Sequence, residues 1–379
     1  MSQSANSPQT PPLVEEHSQS SDRGLAEKKN ELYVVFGHAC LTAETLSGLL
    51  KERDSFGLAW LCVWLYGRKK AHGKVGIHLP RFLDLSGKFN ISVKKMFFFL
   101  DCLQESAVEE VKFGSMWVRG GLLPLLVGFL ERLKAARMGR KRTPELKSFI
   151  FEENSIRARE DPRLLPLLLA SLESLSLNGN PFGPSFGLDD FQILTKAIRD
   201  GMVCSLRKLD LENVRLEKEV LKMFCEAIKE TGLPQIETLN LSNNRLGMEG
   251  FDVLCSDVLC VASVPRLREL LLRDCLLGGS DVALPASVLG RGDLPNLESL
   301  DLQGNGIAGG SGLGDLGEVL RVECVPRLKN LNVMMRERGG WDPQAVSDFL
   351  AALRSDECPA LEHLHLRMHT GNDEVVALW

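Results

Sequence analysis

The segment Ile236–Leu254 has the sequence IETLNLSNNRLGMEGFDVL, and its spacing decides the fold. Apolar residues and one asparagine follow the pattern Leu-x-x-Leu-x-Leu-x-x-Asn-x-Leu, which is typical of a short strand that ends in a tight inward turn. The matching positions are Ile236, Leu239, Leu241, Asn244 and Leu246. A helix is expected to follow. Because one strand-and-helix unit cannot bury its apolar face alone, such units must stack on one another.

The same apolar triplet recurs along most of the chain. Its copies begin at Val108, Leu146, Leu172, Leu206, Ile236, Leu267, Leu297, Leu328 and Leu361. From Leu206 to Leu328 the starts recur every 30 or 31 residues, and the outer intervals of 38, 26, 34 and 33 indicate loop insertions. This regularity predicts an α/β horseshoe solenoid, with parallel strands on the concave face and helices on the convex face.

Helical periodicity appears between the triplets, for example in Leu188–Arg199 and Glu217–Lys229. Residues 107–379 are therefore predicted to form the repeat domain. Residues 1–30, rich in Ser, Gln and Pro, are predicted to be a disordered tail. Residues 31–106 are predicted to be a divergent N-terminal cap or degenerate repeats. Within this part, a degenerate repeat strand is predicted at Val34, Phe36 and Leu41, and another at Leu83 and Leu85. A buried helix is predicted at Phe56–Tyr66.

Composition narrows the classes of function. A net charge of −5, from 45 basic and 50 acidic residues, gives no overall field that would attract nucleic acid or an anionic membrane. The 10 cysteines show no metal-binding spacing and suit a reducing compartment. Without a signal peptide or a membrane-spanning run, the predicted location is the cytoplasm. The basic run Arg137–Arg142 leaves the nucleus open, although a solvated loop is its more ordinary explanation.

The chain resembles the ribonuclease-inhibitor-like branch of leucine-rich repeat proteins. The resemblance rests on Asn244, Leu246, Gly247, Gly250 and Leu254, the branch's Asn-x-Leu-Gly-x-x-Gly-x-x-x-Leu, and covers roughly residues 108–379. It implies protein binding through the concave face. The turn asparagine recurs at positions 154, 180 and 305, with cysteine at 275, whereas Met, Val, Arg and His replace it at 116, 214, 336 and 369. Turns without the amide are expected to be less regular.

Strand alternation aims the residues between the leucines at the concave face. These polar side chains form the predicted binding surface for a protein partner. Its residues are Asp210, Glu212, Asn240, Ser242, Arg273, Asp301, Gln303, Asn332, His363 and His365. The surface contains no aromatic anchor, so a solvated inner wall is the competing interpretation. The sequence leaves the oligomeric state open.

No cofactor or metal site is predicted. Asp210 and Asp301 lie three strands apart, roughly 14 Å, which is too far for a shared metal. His363 and His365 share a face, but His369 falls at the inward turn position, so three ligands do not converge. The G-x-G-x-x-G at 312–317 follows a strand too distantly for a dinucleotide fingerprint. No nucleophile with a neighbouring base is readable.

The sequence therefore predicts a non-catalytic scaffold for protein–protein interaction. The alternative is a GTPase activator that resembles the Ran GTPase-activating protein, a resemblance that rests on the repeat alone. The last predicted strand leaves an open sheet edge, which either a partner or a short segment ending in Leu378 and Trp379 should cover.

Overall fold

A computed structural model of the protein describes residues 81–85, 108–113, 122–138, 146–151, 160–180, 188–260, 262–277, 291–305, 325–334, 361–367 and 375–378, with a few single residues between them. Several predictions fall outside these residues. They concern the tail, the strand at 34–41, the helix at 56–66, most of the basic run at 137–142, the glycines of the G-x-G-x-x-G, and His369.

The described strands form one sheet in which every strand lies beside its neighbours in the sequence. Ten of them, β1 to β10, run parallel. Their bounds are Phe82–Leu85, Glu110–Phe113, Ser148–Phe151, Ser174–Ser176, Lys208–Asp210, Thr238–Asn240, Glu269–Leu271, Ser299–Asp301, Asn330–Asn332 and His363–Arg367. Register partners such as Leu209, Leu239 and Leu270 repeat the same triplet position, so the predicted solenoid is confirmed.

Five described helices alternate with the strands. They are α1 Leu123–Met138, α2 Leu164–Ser171, α3 Leu188–Arg199, α4 Lys218–Thr231 and α5 Gly247–Asp257. The predicted bounds of α3 are confirmed, and α4 begins one residue later and ends two residues later than predicted. Gly232 ends α4 because its φ of 71° lies in a region that glycine enters without strain. Each helix packs on the next along the outer face.

The core lies between the strands and the helices. Each triplet side chain of the central repeats, such as Leu209 and Leu239, is fully buried against helix residues such as Leu221 and Phe224. Near β3 the core is aromatic: the Phe113 ring stacks on Phe151, with centroids 5.1 Å apart. This contact continues one apolar layer along the stack, as a repeat fold requires.

The inward turns are held by asparagine side chains that reach the preceding repeat. Asn244 donates from Nδ2 to the carbonyl of Leu211 at 2.8 Å, and its Oδ1 accepts the N–H groups of Val214 and Leu216 at 3.1 and 3.0 Å. Asn305 bonds the repeat before it in the same way. Val214 cannot donate as an amide does, yet its own N–H is satisfied by the following repeat.

Cysteine replaces the turn asparagine at position 275 and keeps one of its contacts. The Cys275 Sγ donates to the carbonyl of Leu241 at 3.3 Å. Burial raises the pKa of the Cys275 and Cys225 thiols to about 12 and raises that of Cys255 as well. These free thiols pack in the core as small apolar side chains.

Beyond the strands that contain the nine triplets, the described sheet has one further strand at each edge. Strand β1 contains Leu83 and Leu85 and pairs in parallel with β2, which confirms the strand predicted inside 31–106. Strand β11, Val375–Leu378, pairs antiparallel with β10, so a segment of the chain itself covers the edge that was predicted to be open. None of the described helices combines the length and apolarity needed to cross a membrane.

Candidate functional site

The concave face is built from the residues between the triplet leucines of strands β4 to β10, which are polar except for Leu271. Parallel register aligns these positions into rows that cross the sheet, and the central row contains Ser176, Asp210, Asn240, Leu271, Asp301, Asn332 and His365. Neighbouring strands lie about 4.8 Å apart, so polar side chains in one row come within hydrogen-bonding reach of the next.

Asp210 is the centre of the first hydrogen-bonded group. Its carboxylate accepts from Ser176 Oγ at 2.8 Å, from Asn240 Nδ2 at 2.9 Å and from the N–H of Glu212 at 3.0 Å. Asn240 Nδ2 also donates to Glu212 at 3.1 Å, and Asn243 donates to the same carboxylate at 2.8 Å. Burial raises the pKa of Asp210, while the hydrogen bonds from Glu212 N–H and Ser176 oppose that rise.

A second group lies three strands further along. The Arg273 Nε donates to Asp301 at 2.5 Å, and the Arg273 N–H donates to Ser242 Oγ at 3.1 Å. Asn332 Nδ2 then donates to Gln303 at 3.3 Å. Because the Asp301 side chain is only 7% exposed and the Arg273 side chain is 50% exposed, the guanidinium covers the carboxylate and keeps its own outer surface in solvent.

The central row also ends the strands. Asp210, Asn240, Asp301 and Asn332 each accept, through a side-chain oxygen, the backbone N–H of the residue two positions later. This local bond is an Asx turn, which replaces the strand ladder with a side-chain contact. These residues therefore shape the surface as well as forming part of it.

Exposure separates the ten predicted residues into three groups. Asn240, Ser242 and Asp301 are buried, with 7%, 1% and 5% of their surface exposed. Asp210, Glu212, Gln303 and Asn332 are half-buried. Arg273, His363 and His365 are exposed, as is Lys208 in the flanking row. The structure thus joins Asp210, Glu212 and Asn240 in one group and Arg273 with Asp301 in another, and it leaves the two histidines outside both.

Sequence reasoning did not single out Asn243. Its φ of 58° places it in the left-handed region, where asparagine is among the few tolerated residues, and from there it binds Glu212. The Asn-Asn pair at 243 and 244 is a turn signal that could have indicated it. In the part of the chain that the structure describes, no three His, Cys, Asp or Glu side chains lie close enough to hold a metal ion.

Two comparisons with family models gave matches to short segments. A model described as Leucine Rich Repeat matches residues 235–256, which contain β6 and most of α5. A second, described as Leucine Rich repeat, matches residues 293–314, which contain β8. A comparison with curated proteins gave no match. Repeats of this kind generally present concave surfaces to other proteins. Together with the parallel sheet and its alternating helices, the two matches support the assignment of this chain as a leucine-rich repeat protein.

Proposed function

We propose that the protein is a non-catalytic scaffold, of the ribonuclease-inhibitor-like branch, that binds a protein partner on its concave strand face. The observation that carries the proposal is the division of that face into two layers. An inner layer of Asp210, Asn240 and Asp301 is hydrogen-bonded internally, and an outer layer of Lys208, Arg273, His363 and His365 is exposed.

This arrangement suits recognition because the inner layer limits the movement of one exposed residue of the outer layer, Arg273. Arg273 is held by Asp301 at 2.5 Å, so its guanidinium loses less conformational freedom when a partner binds. From β5 to β10 there are five strand spacings, or about 24 Å, which matches the width of an interface of about 800 Å² on one partner. A polar surface of this kind favours specificity over raw affinity.

The branch assignment is supported by the sequence around α5. Gly247 begins the helix, and a Cβ added at Gly250 would lie 2.7 Å from the Leu221 side chain of the preceding repeat. The glycine therefore allows close packing of α5 on α4, as the pattern Asn-x-Leu-Gly-x-x-Gly requires. The free, buried thiols of Cys225 and Cys255 fit a reducing compartment, and we propose the cytoplasm.

The experiment compares partner capture by three forms of the full chain. Partners of the native chain are first identified by affinity purification and mass spectrometry, and their affinities are then measured with purified components. The concave variant carries Lys208→Ala, His363→Ala and His365→Ala, all exposed positions. The control carries Gln192→Ala and Lys222→Ala on the exposed surfaces of α3 and α4.

We expect the concave variant to bind at least one partner about tenfold more weakly, which corresponds to about 1.4 kcal/mol. The control should bind every partner as the native chain does. If the concave variant keeps all affinities, or if only the control weakens binding, the concave face is not the interface. In single-turnover GTP hydrolysis with small GTPases, a scaffold leaves the rate unchanged, whereas an increase would favour the GTPase-activator alternative.

A further inference from the structure

The residue immediately before each parallel strand's first concave position is always charged, and its sign alternates along the sheet. These ten residues are Arg81, Glu109, Lys147, Glu173, Arg207, Glu237, Arg268, Glu298, Lys329 and Glu362. One such residue, called a rung here, precedes each of β1 to β10. Positive and negative rungs alternate without exception across the ten, even though the intervals between repeats are irregular at both ends.

Backbone hydrogen bonds place these rungs beside one another. The carbonyl of each of the first nine rungs accepts two N–H groups from the next repeat, those of the next rung and of the residue after it. For Arg207 the donors are Glu237 at 2.7 Å and Thr238 at 3.0 Å. Because this contact is repeated at every step, the rungs form a row at one end of the strands, about 4.8 Å apart.

Ion pairs join neighbouring rungs at six of the nine steps of this row. The Glu109 carboxylate lies between two basic rungs: its Oε1 is 3.4 Å from Arg81 Nε, and its Oε2 is 3.8 Å from Lys147 Nζ. In the middle of the sheet, Arg207 lies 2.6 Å from Glu237 and 4.0 Å from Glu173.

The same contact continues towards β10. Arg268 and Glu298 are 3.5 Å apart, and Lys329 and Glu362 are 3.4 Å apart. The side chains of all ten rungs are 28% to 83% exposed, so each pair alone contributes little.

We infer that the ten alternating charges act together as one ladder that stabilises the native order of the strands. The apolar triplets are nearly identical from repeat to repeat, so burial alone distinguishes poorly between a strand's proper neighbour and the strand after it. The charges do distinguish them. Neighbouring rungs have opposite charges, whereas next-but-one rungs, such as Glu173 and Glu237, have the same charge, so skipping a repeat would replace an attraction with a repulsion.

The test exchanges two charges within the full chain. The variant Arg207→Glu/Glu237→Arg keeps the composition, the net charge and an opposite pair at the closest contact. It places a carboxylate at position 207 beside Glu173 and a guanidinium at position 237 beside Arg268, so the alternation is broken on both sides. The control variant, Lys196→Asp/Asp200→Lys, exchanges an exposed pair on the outer face that is 3.0 Å apart and lies outside the ladder.

Urea unfolding at low ionic strength should show a lower midpoint for the ladder variant, with an unfolding equilibrium constant raised about three- to tenfold. The control should keep the native midpoint. In 1 M NaCl, where the Debye length is about 3 Å, the ladder variant should approach the native chain. A ladder variant equal to the native chain at low salt, or a difference that persists in 1 M NaCl, would overturn the inference. As a second variant, Arg207→Gln should lose less than the exchange, and a greater loss would also contradict it.

Discussion

Replacement of Asn244 by alanine should cause the largest loss of stability among polar substitutions in the central repeats. The side chain is fully buried and bonds three backbone groups of the preceding repeat, the N–H groups of Val214 and Leu216 and the carbonyl of Leu211. Two stranded N–H groups at about 1.5 kcal/mol each, with about 1 kcal/mol for the carbonyl, give a loss of about 4 kcal/mol. That is a large part of the free energy of unfolding of a typical folded protein, which is about 5–15 kcal/mol.

Equilibrium urea unfolding, followed by circular dichroism, measures this loss. With a slope of about 2 kcal/mol per molar urea, the midpoint should fall by about 2 M. Asn330→Ala is the control, because Asn330 is a half-buried strand residue on the concave face, and its replacement should cost less than about 0.5 kcal/mol. A loss below about 1 kcal/mol for Asn244→Ala would refute the reasoning, since it would mean that the stranded backbone groups find other partners.

Three further predictions concern glycine packing, thiol reactivity and pH. Gly128→Ala in α1 should raise the free energy of unfolding by about 0.5–1 kcal/mol. Gly250→Ala should lower it by about 1–3 kcal/mol, because the added Cβ would lie 2.7 Å from a buried leucine. Thermal unfolding compares the two variants. Iodoacetamide at about pH 8 should label exposed Cys204 at least about a hundredfold faster than Cys225, because burial raises the pKa of the Cys225 thiol to about 12. Peptide mapping measures the two rates, and comparable rates in the folded chain would contradict the prediction. Burial raises the pKa of Asp210 above 3.8, so folding favours the protonated carboxyl. The native chain should therefore gain stability relative to Asp210→Asn as the pH falls through the raised pKa towards 3.8. Urea midpoints of the two chains measure this, and a difference that does not change with pH would show that the shift is absent.

The fold could be predicted because the regular spacing of the apolar triplets identifies which residues of successive repeats lie side by side. Leu209, Leu239 and Leu270 occupy equivalent triplet positions, and the structure pairs them directly. The bounds of α3 also followed from its apolar spacing and its closing glycine. The identity of the segment that covers β10 could not be decided, because an exposed strand edge accepts a partner's backbone or the chain's own equally well.

The candidate surface was predicted only as a set of positions. Strand alternation shows that Asn240 and Asp301 face the concave side, but it does not show that hydrogen bonds to Asp210 and Arg273 bury them. Such bonds depend on which side chains meet across strands 30 residues apart, and apolar periodicity carries no information about that. Whether the ten predicted residues contact a partner remains a prediction that the concave variant tests.

The asparagine turns give the solenoid a direction. Asn244 and Asn305 both reach backwards along the chain, so a repeat is completed by the one that follows it. Loss of structure that begins at the β10 side removes the asparagine and leaves the backbone N–H groups of the repeat before it without their acceptor. Loss from the β1 side removes those backbone groups and leaves the asparagine side chain without them. The two directions of unfolding therefore leave different groups at the end of the folded part, backbone N–H groups in one case and a side-chain amide in the other.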